Sequence, residues 1–204
     1  MHIEEHRLQR PGTVHLESPN RGEVFGEGLP DTLILHYTAC PTAQSAVDIL
    51  CDGAREGRVS AHLVVGRDLS VAQLLPFNVV GWHAGVSSWD GREGLNRYSI
   101  GIEIDNAGQL EEKDGRYLSW FGQEYPAEEV VFGVHRNQSQ ETPWHRFPPA
   151  QLELVEALAE LLVRHYGMRY VLGHEEIAPG RKIDPGPAFP LDALRARLLG
   201  GTGV

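Results

Sequence analysis

The stretch YSIGIEIDNAG occupies residues 98–108 and alternates between two kinds of side chain. Isoleucine stands at every second position, and the positions between them carry Gly101, Glu103 and Asp105. Because successive side chains of a strand point to opposite faces of a sheet, this stretch predicts a strand with one apolar and one polar face. Such a strand needs a packed core on one side and polar surroundings on the other.

More strands are predicted on both sides of this stretch. Short apolar runs bounded by turn residues indicate buried strands at LILHYT (33–38) and RYVLGH (169–174). The segment SAHLVVGRDLSVAQLLP (60–76) predicts a hairpin that turns at Gly66-Arg67-Asp68.

Three helices are predicted between and after these strands. Thr42 is placed to cap the first, which should end near Gly53 or Gly57. The clearest helix opens at two consecutive prolines, repeats apolar residues at helical spacing and stops at Gly167. LDALRARLL (191–199) predicts a short last helix. The order of elements predicts an α/β fold: one central, mostly mixed β-sheet flanked by α-helices.

The chain divides into three parts by composition. Residues 1–30 are rich in proline and glycine and predict an irregular lead-in. Residues 31–200 hold the regular elements and predict one domain. Within it, residues 108–147 are polar, long and dotted with aromatic side chains, so they predict an inserted loop.

Composition and charge exclude several classes of protein. The formal net charge is -10 and no Lys/Arg-rich run exists, which argues against nucleic acid as a partner. No apolar stretch is long enough for a membrane span, and the first residues lack the apolar core of a signal peptide. We therefore expect a cytoplasmic protein, or one exported by a route without such a signal. Cys40 and Cys51 are compatible with two small buried thiols or with one bridge. Nothing in the sequence predicts an oligomeric state.

Two histidines stand at the ends of predicted buried strands. His36 follows LIL, and His174 follows RYVLG. If the strands are neighbours, both imidazoles lie at one edge of the sheet, and Asp184 in a proline-bounded loop can supply a third ligand. Two histidines and a carboxylate suit a divalent metal, zinc first. The alternative is that each histidine is a hydrogen-bonded structural residue.

Glu103 and Lys182 are candidates for the chemistry beside such a metal. Glu103 lies on the polar face of its strand, where a cleft would solvate it and let it act as a general base. Lys182 lies two residues before Asp184, so in an extended segment both side chains share a side and the ammonium can stabilise an oxyanion. The alternatives are a solvent-facing glutamate and a surface ion pair.

Five strings, in order, resemble one known family. They are LILHYTA (33–39), SAHLVV (60–65), WHAGVSSWDGREGLN (82–96), SIGIEI (99–104) and GHEEIAPGRKIDPGPAFP (173–190). Together they resemble the zinc-dependent N-acetylmuramoyl-L-alanine amidases, whose fold is that of peptidoglycan recognition proteins, and above all the cytosolic amidases that recycle anhydromuropeptides. The resemblance implies hydrolysis of the amide between the lactyl group of N-acetylmuramic acid and L-Ala, in peptidoglycan or muropeptides.

The resemblance also implies roles for individual residues. His36, His174 and Asp184 match the ligands of one zinc ion per chain. Glu103 matches the catalytic glutamate, and Lys182 matches the residue that polarises the scissile carbonyl.

The resemblance also covers residues other than the three candidate ligands, the glutamate and the lysine. Trp82, His83 and Asn96 match positions that line the substrate groove, and His62 matches a structural position beneath the site.

The sequence departs from the recycling enzymes after the catalytic strand. Those enzymes carry Glu-Gly there, whereas this chain continues as Asp-Asn-Ala-Gly into residues 108–147, as envelope-directed or phage-type relatives do. The form of the substrate therefore stays open, and so does the choice between a role in recycling and one in phage-encoded lysis. The role of the insertion is open as well: it either borders the sugar subsite or is a packed surface segment without a part in binding. Two rival functions are a non-catalytic peptidoglycan-binding module and a zinc peptidase. The sequence contains no HExxH motif, which argues against the peptidase.

Overall fold

A computed structural model describes residues 1–200 of the chain. Its α-helices are α1 Ala43–Cys51, α2 Pro149–Tyr166, α3 His174–Ile177 and α4 Leu191–Leu199, with 3₁₀ turns at Leu95–Arg97 and Ala127–Glu129. In these residues no helix combines the length and apolar character that crossing a membrane requires.

The strands are short. In chain order they are β1 His2–Glu4, β2 Arg7–Gln9, β3 Thr13–His15, β4 Thr32–Tyr37, β5 Leu63–Val65, β6 Val71–Gln73, β7 Ser88–Trp89, β8 Arg92–Glu93, β9 Ser99–Ile104, β10 Glu111–Lys113, β11 Arg116–Leu118, β12 Glu124–Tyr125, β13 Val130–Val134, β14 Glu141–His145 and β15 Tyr170–Gly173.

Six of these strands form the central sheet, in the order β15-β4-β9-β5-β6-β3. The pairs β15–β4, β4–β9, β9–β5 and β6–β3 are parallel, and the hairpin β5–β6 is antiparallel. The predicted mixed sheet with flanking helices is therefore confirmed. The predicted helix ends are confirmed as well, since Thr42 Oγ1 accepts the Ser45 N–H at the start of α1 and Gly167 ends α2 in the left-handed conformation.

The two faces of the sheet differ as the alternation in β9 predicts. One face packs under α2 and α4, where the apolar positions of β4, β9 and β15 meet the apolar stripe of α2. Buried members of this core include Leu33, Leu35, Ile100, Ile102, Ile104, Val155, Leu158, Leu162 and Val171.

The opposite face carries α1 and α3 with a cleft between them. Ile34 of β4 and Leu172 of β15 pack with Ile177 of α3. Val64 of β5 packs with the buried face of α1. The polar positions of β4 and β9 open onto this face, and they position the candidate site.

The N-terminal segment is more regular than predicted. β1 and β2 form a hairpin, and β3 pairs with β6 as the edge strand of the central sheet. The buried Leu8 N–H donates to Gln73 Oε1 at 2.8 Å, which joins the segment to the sheet. The prediction of an irregular lead-in was wrong because three-residue strands are too short to show an alternating pattern.

Residues 108–147 also hold more structure than an inserted loop. β10, β11 and β12 form one small antiparallel sheet, and β13 and β14 form a hairpin. Tyr125 and Val130 pack with Leu110 in a small core of their own. The segment is therefore a compact addition with its own apolar contacts.

An ion pair fixes the start of β4. Arg92 donates to both carboxylate oxygens of Asp31 at 2.8 and 2.9 Å, and its guanidinium lies over the rings of Tyr98 and Tyr170. Burial raises the pKa of Asp31, but hydrogen bonds from Arg92 and Thr32 outweigh it, so the pKa lies below its usual value.

We expect Asp31→Ala to lower the free energy of unfolding by about 2 kcal/mol, less than a fully buried pair because water reaches part of the guanidinium. A depressed pKa stabilises the folded state above the usual Asp value of 3.8, and that contribution is lost as the pH falls through the folded value. Denaturant unfolding at pH 7 and pH 3 measures both effects. Glu124→Ala, which breaks the exposed pair with Arg116, is the control and should change stability much less. Equal effects of the two variants would contradict the prediction.

Candidate metal centre

The register of the central sheet brings three predicted site residues to one place. His36 of β4 pairs directly with Glu103 of β9, so their side chains share a face. Gly173 of β15 pairs with Leu35, which puts His174, the next residue, beside His36. Parallel strands end at the same edge of a sheet, and here that edge carries two imidazoles and a carboxylate.

Asp184 completes the cluster from the loop that follows α3. Its main-chain carbonyl accepts the Glu175 N–H at 2.8 Å, which holds the loop against the start of α3. Asp184 Oδ2 lies 2.9 Å from His36 Nδ1 and 3.1 Å from His174 Nδ1, and the two Nδ1 atoms are 3.0 Å apart. The three side chains form a buried group that could hold a metal ion.

The contacts of His174 show which of its nitrogens is free to bind a metal. His174 Nε2 lies 3.1 Å from the carbonyl oxygen of Ala84, which can only accept a hydrogen bond. When a cation occupies the cluster, this nitrogen carries the hydrogen of the neutral ring, and Nδ1 presents its lone pair to the space beside Asp184 and His36. A lone pair that faces a carboxylate and a second ring nitrogen is a site for a cation.

The donor set fits zinc. Tetrahedral zinc with bonds of about 2.0–2.1 Å places its ligand atoms roughly 3.3 Å apart, close to the triangle of these three atoms. Burial lowers the pKa of His36 to about 4, with the nearby His174 adding to the effect, so the imidazole is neutral and able to bind a metal. Two nitrogens and one oxygen are the ligands of a catalytic zinc site with one open position.

Glu103 faces the same cleft and is not neutralised by a direct contact. Its Oε2 is inaccessible to water and has no hydrogen-bond partner among residues 1–200. Burial raises the pKa of Glu103 well above its usual value, the Asp184 carboxylate raises it further, and the Lys182 ammonium lowers it. A carboxylate of this kind is suited to accept and return a proton.

The cleft has a volume of about 530 Å³. The metal cluster, Glu103 and Lys182 line it, together with Cys40, Arg55 and Trp120. Arg55 was missed by sequence reasoning because a lone arginine in a glycine-rich turn carries no pattern. Trp120 lies in the aromatic-rich insertion, and its Nε1–H donates to the Ala39 carbonyl at 2.8 Å, which holds the exposed ring at the rim.

The predicted groove residues Trp82, His83 and Asn96 do not share one location. Of these three, only His83 lines the cleft, where it lies buried beneath His36. Asn96 Oδ1 accepts the N–H groups of His83 and Ala84 at 3.0 and 2.7 Å, so it shapes the loop. The ring of Trp82 lies under the guanidinium of Arg58, 5.1 Å from its centre. The structure thus places Trp82 and Asn96 outside the residues that line the cleft.

The insertion supports the loop that carries Asp184. His135, just after β13, donates from Nε2 to Glu175 Oε2 at 2.6 Å, and Gly186 N–H donates to the same oxygen at 3.1 Å. Trp144 of β14 packs so closely on Gly186 that an added Cβ there would lie 2.6 Å from its ring. The β13–β14 hairpin is therefore a buttress for the Asp184 loop.

Both cysteines are free thiols and are half-buried. Burial raises the pKa of Cys40 to about 11, and the Glu103 carboxylate adds to the effect. The thiol at the edge of the cleft is therefore protonated at neutral pH and a poor nucleophile.

A buried His-His-Asp cluster at the end of an open cleft, with a carboxylate beside it, is the arrangement of side chains that metal-dependent hydrolases use. Comparison with known proteins narrows this class. Residues 27–187 match the family described as N-acetylmuramoyl-L-alanine amidase, and the chain belongs to that family.

Three relatives illustrate the similarity. The chain is 33% identical over 203 residues to the 1,6-anhydro-N-acetylmuramyl-L-alanine amidase AmpD of Escherichia coli K12, covering 92% of each chain. It is 31% identical over 178 residues to the N-acetylmuramoyl-L-alanine amidase AmiD of the same strain, covering 82% of this chain but only 53% of AmiD. The structure of E. coli AmiD with anhydro-N-acetylmuramic acid-L-Ala-D-gamma-Glu-L-Lys superposes with a TM-score of 0.62 and 29% identity, over 91% of this chain and 62% of that one.

Proposed function

We propose that the chain is a zinc-dependent amidase that cleaves the bond between the lactyl group of N-acetylmuramic acid and L-Ala. The observation that carries this proposal is the convergence of His36, His174 and Asp184 beside Glu103 in the cleft of an N-acetylmuramoyl-L-alanine amidase family member. One zinc ion per chain is the metal that this donor set fits.

The roles of the residues follow from their places in the cleft. His36, His174 and Asp184 would hold zinc, which when bound supplies Lewis acidity that polarises a carbonyl and acidifies water. Glu103 takes a proton from the attacking water and returns it to the leaving amine of L-Ala. Lys182 approaches the scissile carbonyl oxygen and stabilises the negative charge that develops there.

The substrate proposed is a muropeptide, in the anhydro form or released from the wall. The relatives are named for 1,6-anhydro-N-acetylmuramyl-L-alanine and N-acetylmuramoyl-L-alanine substrates, and the E. coli AmiD structure holds an anhydromuropeptide. A cleft of about 530 Å³ has the size of a small-ligand site rather than of a long polymer groove.

Incubation of the zinc-loaded protein with anhydro-N-acetylmuramic acid-L-Ala-D-γ-Glu-L-Lys, followed by mass spectrometry, tests the proposal. The expected products are anhydro-N-acetylmuramic acid and the intact tripeptide. Binding without cleavage would instead identify a muropeptide-binding module, and cleavage at a peptide bond would identify a peptidase. Intact peptidoglycan assayed in parallel separates the two substrate forms.

Trp120 is expected to contribute to substrate binding. Trp120 is 76% exposed at the rim of the cleft, and the bond from its Nε1–H to the Ala39 carbonyl holds the ring there, so the exposed aromatic surface can stack on a sugar ring. Trp120→Ala should raise KM about fivefold, equivalent to about 1 kcal/mol, and leave kcat nearly unchanged.

The matched control for Trp120 is Phe132→Ala. Phe132 is a half-exposed aromatic residue of β13 in the same insertion that does not line the cleft. Steady-state kinetics on the muropeptide should show no change in KM for this control. An unchanged KM in Trp120→Ala would show that the part of the insertion that carries Trp120 does not contribute to substrate binding.

A further inference from the structure

The imidazole of His83 lies directly beneath His36. His83 Nδ1 is 3.1 Å from His36 Nε2, the nitrogen on the side of the His36 ring opposite the metal cluster. The two ring centres are 5.1 Å apart and the ring planes are nearly perpendicular, so His36 points its Nε2 edge at His83. His83 is 8% exposed and therefore part of the buried layer under the site.

The surroundings of His83 hold this ring in place. The Asn96 side-chain oxygen accepts the main-chain N–H of His83 at 3.0 Å. Of the two ring nitrogens, Nε2 lies 3.3 Å from the Ser99 carbonyl oxygen. On the sheet side the ring covers Gly101, where an added Cβ would lie 2.6 Å from His83 Cγ. Gly101 of the SIGIEI strand is thus required by the close approach of this imidazole.

These contacts determine where the hydrogens lie. The Ser99 carbonyl can only accept, so His83 Nε2 donates to it and His83 Nδ1 is left as an acceptor. His83 Nδ1 then accepts the Nε2–H of His36. When a cation lies among the three ligand atoms, His36 therefore carries its hydrogen on Nε2, away from the cluster, and its Nδ1 lone pair faces the cation beside His174 and Asp184.

We propose that His83 is a positioning residue for the metal site, which holds His36 in the Nε2–H tautomer and in the orientation that presents Nδ1 to zinc. The inference rests on the proposed function in that His36 is taken as a zinc ligand. Without an acceptor beneath it, the His36 ring is free to place a hydrogen on Nδ1, where it would point into the cluster and oppose metal binding. Partners of this kind that orient ligating histidines change metal affinity by about 10- to 100-fold.

Two substitutions separate orientation from packing. His83→Leu fills much of the same space without an acceptor, whereas His83→Asn places an amide oxygen near the position of Nδ1. Zinc dissociation constants of the metal-free proteins, measured by chelator competition, should rise about 10- to 100-fold in His83→Leu. His83→Asn should restore most of the affinity, which a purely structural role would not explain.

His62→Leu is the matched control. His62 lies in the same buried layer, with its ring 5.7 Å from that of His83, and among residues 1–200 this ring hydrogen-bonds only to the main chain, at Val79 and Gly101. The His62→Leu substitution should lower the melting temperature without a comparable loss of zinc affinity. Equal zinc affinity in His83→Leu and the parent, or no recovery in His83→Asn, would overturn the inference.

Nitrogen-15 NMR of the histidine side chains in the zinc-loaded parent protein gives a test that needs no variant. The expected spectrum shows His36 protonated at Nε2 and unprotonated at Nδ1, and the opposite tautomer would overturn the inference. The zinc titrations use no substrate, so a protein that bound zinc as expected but left the muropeptide intact would count against the proposed function alone. Conversely, zinc loss in His36→Ala with none in His83→Leu would count against the role of His83 alone.

Discussion

Glu103→Gln should keep its zinc and lose about 10²- to 10⁴-fold in kcat, the range that a general base contributes. The variant keeps the size and shape of the side chain but removes its ability to accept a proton. Glu103 lies beside His36 in the sheet register and contributes no atom to the metal cluster, so the metal should stay. Zinc content and single-turnover cleavage of the muropeptide, measured on the same preparation, test both halves of this expectation.

Asp105→Asn provides the matched control for Glu103. Asp105 is the next carboxylate on the same face, is buried, and lines a separate pocket with Arg67 and His145 rather than the catalytic cleft. The Asp105→Asn variant should cleave the muropeptide at close to the parental rate. Turnover retained in Glu103→Gln would remove Glu103 from the mechanism, and zinc lost from it would make Glu103 part of the metal site.

His174→Ala should weaken zinc binding by roughly a thousandfold or more, since it removes one of three protein ligands. Asp184 and His36 would remain, but two ligands do not close the site. The cleavage rate should fall in proportion to the zinc that is lost, and added zinc should restore only part of it. Chelator competition and metal analysis after dialysis measure the effect.

His145→Ala is the control for loss of a buried histidine. His145 is as buried as His174, but it bonds to Glu129 and to the Ala107 N–H, away from the metal cluster. Its loss should lower stability and leave the zinc dissociation constant close to that of the parent. Parental zinc affinity in His174→Ala would show that the ligand assignment is wrong.

Much of the fold was predictable because local patterns encode it. The alternation in residues 99–104 predicted both the strand and the face on which Glu103 lies, and the burial of its isoleucines confirms the pattern. Thr42 and Gly167 marked helix ends because capping depends on the chemistry of single residues.

The convergence of the site was not encoded by any local pattern. His36 and Glu103 lie side by side only because β4 and β9 are neighbours in parallel register, and strand order depends on the whole chain. The prediction that His36, His174 and Asp184 act together depended on the condition that their strands are neighbours and was strengthened by the resemblance to a family, and the structure brings the three residues within contact of one another.

The remaining differences arise where contacts are remote or elements are short. The resemblance matched His83 to a groove position, and it does line the cleft, but nothing in the sequence indicated its contacts with His36, Asn96 and Ser99. The buttress formed by His135 and Glu175 joins residues 40 positions apart in the chain. No spacing rule in the sequence relates such residues.

Zinc K-edge X-ray absorption of the purified, zinc-loaded protein tests the central claim most directly. We expect one zinc per chain, bound by two imidazole nitrogens with the remaining ligands oxygen. Cys40, which lines the same cleft, provides the discriminating alternative because a thiolate ligand gives a sulfur shell at about 2.3 Å. A sulfur shell, a single imidazole, or a chain that retains no zinc would contradict a site built from His36, His174 and Asp184.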